Sequence, residues 1–180
     1  MKFLILILVG VLLNANHSSL SYALDEQGLG GDRANASGRR LETEIAAHLE
    51  LNGFELIAIS NWDEARLYRE QDIKVAIRNA PYRTLYGHRG RIEFLLIIGE
   101  RQILVESKRQ RVAGSVDEKL PYVYYSALRN IPEREFVFVY DGNGWKTEAL
   151  DWIRTQASST RGFSVMEADE FVRWIETLSE

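Results

Sequence analysis

Cysteine is absent from all 180 residues, so no disulfide staples the chain. A domain of this length can be stable without one, so the absence leaves the redox compartment open. Histidine is scarce, with three in the chain; His88 has no second histidine at ligand spacing, which speaks against zinc. The stretches around Gly38 and at Gly142-Asn143-Gly144 lack the phosphate-loop pattern and read as capping and turn chemistry. There is no internal repeat. The apolar run Phe3 to Leu13 is too short to span a bilayer. Overall positive charge is lacking too, the formal net charge being −4.

What is present divides the chain into three segments. Lys2, the apolar run after it and a polar stretch ending Ser21-Tyr22-Ala23 have the layout of a secretory signal over residues 1–23, cleaved after Ala23. That layout favours export to the periplasm or beyond, with no stable membrane association after processing. The competing reading is a misassigned start codon, or a short buried helix, on a cytoplasmic protein. Residues 24–36 carry Gly28, Gly30, Gly31 and Asn35 without apolar periodicity and read as a flexible leader. Residues 37–180, in a chain that is 46% hydrophobic, are enough for one ordinary core and no more.

Charge is spread unevenly along that domain. From Arg83 to Arg111 there are seven Lys/Arg against three acids, whereas from Glu133 to Glu180 there are five against ten. A local positive field suits a polyanionic partner better than the global charge implies.

Ser37 as N-cap with Leu41, Ile45, Leu49 and Leu51 predicts a helix to about Asn52, ended by Gly53. Phe54 to Ile59 reads as a strand, and Ser60 to Pro81 gives no clear signal. Arg91–Ile98 and Gln102–Arg109 read as a β-hairpin. Further on, the pattern predicts a helix over Asp117–Leu128 with Pro121 in its first turn, a strand over Glu135–Tyr140 and a helix over Thr147–Gln156. A strand over Phe163–Met166 and a final amphipathic helix over Ala168–Leu178 complete it. Helices flanking a central mixed sheet make an α/β domain.

The hairpin carries the most unusual residues. Glu106-Ser107-Lys108 follows the apolar run Ile103-Leu104-Val105, and alternation puts Glu106 and Lys108 on one face. With a two-residue loop, Gly99-Glu100 or Glu100-Arg101, Glu93 falls opposite Glu106 or Lys108 on that same face; a three-residue loop would send it to the other side. Two converging carboxylates suit Mg²⁺, with Mn²⁺ as a substitute, because hard cations take oxygen ligands and keep several waters. Glu93, Glu106 and the Ser107 carbonyl are the expected ligands. Lys108 beside them can orient a water or offset charge on a phosphate, and Gln110, next in the alternation, can fix a water or substrate group. Arg89, Arg91, Arg109, Arg111 and Lys119 are the expected substrate-binding cations.

Glu93…Glu106-Ser107-Lys108 resembles the metal-binding signature of the PD-(D/E)XK nuclease superfamily, with Glu93 where Asp is commonest. Gly38-Arg39-Arg40-Leu41-Glu42 is similar to its leading helix, which implies Glu42 as an accessory acid. Pro81-Tyr82 through Tyr86-Gly87-His88-Arg89-Gly90-Arg91, and Gly114-Ser115-Val116-Asp117 through Tyr122, are similar to an uncharacterised bacterial and phage branch of that superfamily. The resemblance covers Gly38 to Thr177. It implies a restriction-endonuclease-like αβββαβ core and a Mg²⁺-dependent nuclease, most simply an endonuclease on DNA, and a homodimer would supply two sites for cutting both strands. Competing readings are an ordinary ion pair on a solvated edge strand, a non-catalytic nucleic-acid-binding or assembly protein of the same fold, and an exported interaction protein working through its acidic C-terminal face.

Overall fold

The computed structural model describes residues 38–178 apart from Gln71. The signal-like segment, the leader and the N-cap Ser37 lie outside the described residues. Helix α1 spans 38–51, and its Leu41, Ile45 and Leu49, four residues apart, are buried on one face. Leu51 departs from the expected apolar stripe, being 81% exposed. Two residues past Leu49 is more than half a turn round the helix, so Leu51 faces away from the sheet. Gly53 then ends the helix at φ 81°, a conformation that a Cβ disfavours.

Six strands follow: β1 (Glu55–Ala58), β2 (Lys74–Arg83), β3 (Arg89–Ile98), β4 (Arg101–Arg109), β5 (Glu135–Asp141) and β6 (Phe163–Glu167). They form one mixed sheet in sequence order. β2, β3 and β4 run antiparallel in succession, while β1 joins β2, and β5 and β6 join β4, in parallel. A short α2 (Arg66–Arg69) lies between β1 and β2. Then α3 (Leu120–Leu128) follows β4, and α4 (Thr147–Ser159) and α5 (Ala168–Thr177) follow β5 and β6. The expected helix from Asp117 begins as a 3-10 turn, Ser115–Lys119, and becomes α-helical at Leu120 with Pro121 in the first turn, where a missing N–H costs little.

Both faces of the sheet are covered. Leu41, Ile45 and Leu49 of α1 and Phe171 and Ile175 of α5 pack on Phe94, Leu96, Val105 and Val137. Leu120, Val123 and Ala127 of α3 and Ile153 of α4 pack on Leu95, Leu104, Phe136 and Phe138. Central strands buried on two faces read as continuous apolar runs, which is why Ile103-Leu104-Val105 shows no alternation. This is the expected α/β domain, and α1, β2–β4, α3 and β5 supply the αβββαβ core. Among the described residues no helix is long and apolar enough to cross a membrane.

β2 was the least legible strand, and Pro81 is part of the reason, since proline is excluded from central strands. β1 is short and pairs only with Val75 to Arg78. Beyond it one edge of β2 carries no strand, so Pro81 can pair with Arg91 on the other side without breaking a second ladder. Asn79, at φ 53°, is the one non-glycine described residue with positive φ. It sits between Arg78 and Ala80, whose partners Phe94 and Ile92 flank Glu93. The strands change face here: Ala76 and Phe94 belong to the α1 side, Ala80 and Ile92 to the α3 side.

Candidate active site

The hairpin register decides whether the acids meet. Ile98 pairs with Arg101 and Phe94 with Val105, so the loop is the two-residue Gly99-Glu100, and one further step sets Glu93 across from Glu106. The β3–β4 pairing stops at Phe94 and Val105, whereas β4 stays paired with β5 through Arg109. In place of a main-chain ladder bond, Glu93 Oε2 accepts the Ser107 amide at 3.2 Å. Its other oxygen accepts from Lys108 Nζ at 3.0 Å.

Lys108 closes the constellation. Its ammonium donates to Glu93, to the Ser107 carbonyl at 2.9 Å and to Glu106. Three donors therefore meet three acceptors, which satisfies a group only 27% exposed. The carboxylates are more enclosed, with 13% of the Glu93 side chain and 15% of the Glu106 side chain exposed. Burial first, and then the Glu93 charge, push the Glu106 carboxyl well above the usual carboxylate range, against the pull of Lys108. Burial acts to lower the Lys108 ammonium, but Glu106 and Glu93 together outweigh it and hold it above its ordinary value.

Glu42 approaches from the α1 side. Desolvation raises its carboxyl and Glu93 adds to the rise, while Lys108 opposes it. Thus Glu42 shares an electrostatic environment with both partners. Neighbouring Glu44 takes a different part, pairing with Arg40 and Arg109. On the α3 side Tyr82 feels the Glu106 charge; burial first, then a hydrogen bond with Tyr122 and that charge, raise its phenol. Tyr82 was not expected here, and the only sequence signal for it is its alternation with Ala80, in a strand obscured by Pro81.

Two expected site residues stand elsewhere. Gln110 follows the last residue of β4, so strand alternation no longer aims it at the carboxylates. Its amide is 4% exposed and fully engaged, donating to Asp117 at 3.0 Å and the Gly144 carbonyl at 2.7 Å and accepting from Val116 N at 3.0 Å. It braces the loop after β4. Arg109 is not a substrate-facing cation: its side chain is 5% exposed and paired with Glu44 and Asp141, because a buried guanidinium must be neutralised. Arg89, Arg91, Arg111 and Lys119 are exposed. Arg91 donates to the Asn79 carbonyl at 2.9 Å.

Among the described residues no group of three or more His, Cys, Asp or Glu side chains is gathered to hold a metal ion. Glu93 and Glu106 are nonetheless the donor set a hard cation uses when water and substrate oxygens fill its remaining positions.

Fold and constellation together define a nuclease-type α/β domain. A family model described as a PD-(D/E)XK nuclease superfamily domain matches residues 33–178, and the chain belongs to that superfamily. No curated protein and no solved structure matches the chain.

Proposed function

We propose that the domain is a divalent-cation-dependent endonuclease acting on DNA, with Glu93, Glu106 and Lys108 as its working centre and Glu42 as accessory acid. The observation that carries this reading is the convergence of two enclosed carboxylates and a lysine at the point where β3 and β4 part. Glu93, Glu106 and the Ser107 carbonyl would hold Mg²⁺ or Mn²⁺, which when bound supplies positive charge against the phosphodiester and acidifies water.

The chain's own residues have separable tasks. Lys108, kept cationic by its two acids, can turn its ammonium toward a phosphate oxygen and offset the charge that grows there during cleavage. Glu42, whose carboxyl burial holds above its ordinary value, can take a proton from a water beside the centre.

Incubating the purified protein with supercoiled, linear, single-stranded and branched DNA, with Mg²⁺, Mn²⁺ or EDTA, tests the reading. Cation-dependent cleavage of the supercoiled circle is expected; inert substrates under every condition would favour a binding or assembly protein that keeps the fold. The layout of residues 1–23 supports export of this nuclease, which N-terminal sequencing of the mature protein would check.

A further inference from the structure

A cleft of about 310 Å³ opens where the far ends of β2 and β3 meet the end of α3. Arg83, His88, Arg89, Arg129 and Arg134 line it, opposed by one acid, Glu133. Some arginines elsewhere are neutralised by carboxylates, Arg40, Arg66, Arg69, Arg101 and Arg109 among them; what sets the cleft apart is that four arginines gather in one concavity. Among the described residues Arg83, Arg89 and Arg129 pair with none, and Arg134 donates only to the neutral Gln102, at 3.0 Å. Positive charge left uncompensated in a concavity focuses its field on whatever anion enters.

The cleft is braced from beneath. Asn130 grips both main-chain groups of Arg83, accepting from its amide at 3.0 Å and donating to its carbonyl at 2.8 Å. Ser126 accepts the Leu85 amide at 2.9 Å. The loop bearing the arginines is thereby pinned to α3 while their side chains stay outside.

Aromatic rings form the rim. Tyr86 is 75% exposed and stacks on His88 with ring centres 6.0 Å apart and planes 20° apart. Tyr122 lies 5.9 Å from Tyr86. Tyr82, which lines the cleft, feels the charge of Glu106, so the cleft and the carboxylates share one electrostatic neighbourhood.

We propose that this cleft is the binding track for a single-stranded polynucleotide, its phosphates on Arg83, Arg89 and Arg129 and an unstacked base on Tyr86. A duplex can offer phosphates to the arginines, but its bases are stacked inside and cannot reach an exposed tyrosine face. Single-stranded substrate, or a frayed or flapped end, is therefore preferred over intact duplex. This rests on the nuclease reading for its purpose and not for its measurement.

Fluorescence anisotropy with labelled 20-residue single strands of DNA and RNA and a DNA duplex, in EDTA, separates binding from turnover. Wild type should bind at least one single strand more tightly than the duplex. Arg83→Ala/Arg129→Ala should weaken single-strand binding and reduce its salt slope by about 1.4, two phosphate contacts' worth. Tyr86→Ala should weaken single-strand binding about tenfold, the scale of one stacked base, and leave duplex binding unchanged. Arg173→Ala, on the exposed side of α5, should match wild type. Duplex bound as tightly as both single strands, or Tyr86→Ala and the double variant both indistinguishable from wild type, would overturn the proposal. Binding as expected without cleavage under any cation would keep the track and remove the nuclease reading.

Discussion

Arg109, the last residue of β4, donates to Glu44 of α1, and so fastens the strand that carries Glu106 and Lys108 to the helix that carries Glu42. Asp141 of β5 takes the same guanidinium on its other side. Three elements meet at one buried cation, placed two residues from Glu42 on the helix and one from Lys108 on the strand. Arg109→Leu should therefore lower stability by about 3 kcal/mol, toward the low end for a broken buried ion pair because Glu44 remains partly exposed. Urea unfolding measures this, and an unchanged midpoint would show that the latch carries no weight.

The same contact sets an acid dependence. The hydrogen bond from Arg109 holds the Glu44 carboxyl below its ordinary value of 4.5, with Arg40 contributing. A depressed folded value means that the contribution is complete above the unfolded pKa and is lost as pH falls through the folded one. Thermal melts of wild type and Glu44→Gln should therefore differ most at neutral pH and converge as pH falls below the ordinary carboxylate value. Curves that stay parallel in acid would contradict the pairing.

Glu106 and Lys108 should separate under mutation. Glu106→Gln should abolish both cleavage and any rise of melting temperature on adding Mg²⁺ or Mn²⁺, because a ligand is gone. Lys108→Ala should abolish cleavage while keeping the cation-induced rise. Full cleavage by either variant would remove the assignment. EDTA should leave wild type folded and inactive.

Gly144 is a structural test away from the acids. A Cβ there would run into the main chain of Val112, and the Gly144 carbonyl already receives Gln110. Gly144→Ala should cost about 2 kcal/mol, as overpacking against rigid backbone does. Equal urea midpoints would show that the loop yields freely.

Much of this was legible in the chain because it depends on periodicity. The α1 face, the hairpin and the shared face of Glu106 and Lys108 follow from counting, and the resemblance pointed to Glu42; whether Glu93 joined them hung on the loop length, which the Ile98 to Arg101 pairing settles. Counting failed where β4 ends. Gln110 and Arg109 look like further members of an alternating row, but one has passed out of the strand, and the other meets acids 65 and 32 positions away. Such long-range neutralisation leaves no local trace. The arginine cleft was half visible through Arg89, whereas Arg83, Arg129 and Arg134 are gathered only by folding α3 against β2 and β3.

The turn at Gly99-Glu100 has a consequence for how this chain can change. It touches none of the acids, and Gly99 has open space where a Cβ would lie. Its length is nevertheless inherited with the site: one inserted or deleted residue would turn Glu106 and Lys108 to the opposite side of the sheet from Glu93. The letters of that turn are free to change, subject to the φ of 54° at Gly99, but an insertion or deletion there would part the acids.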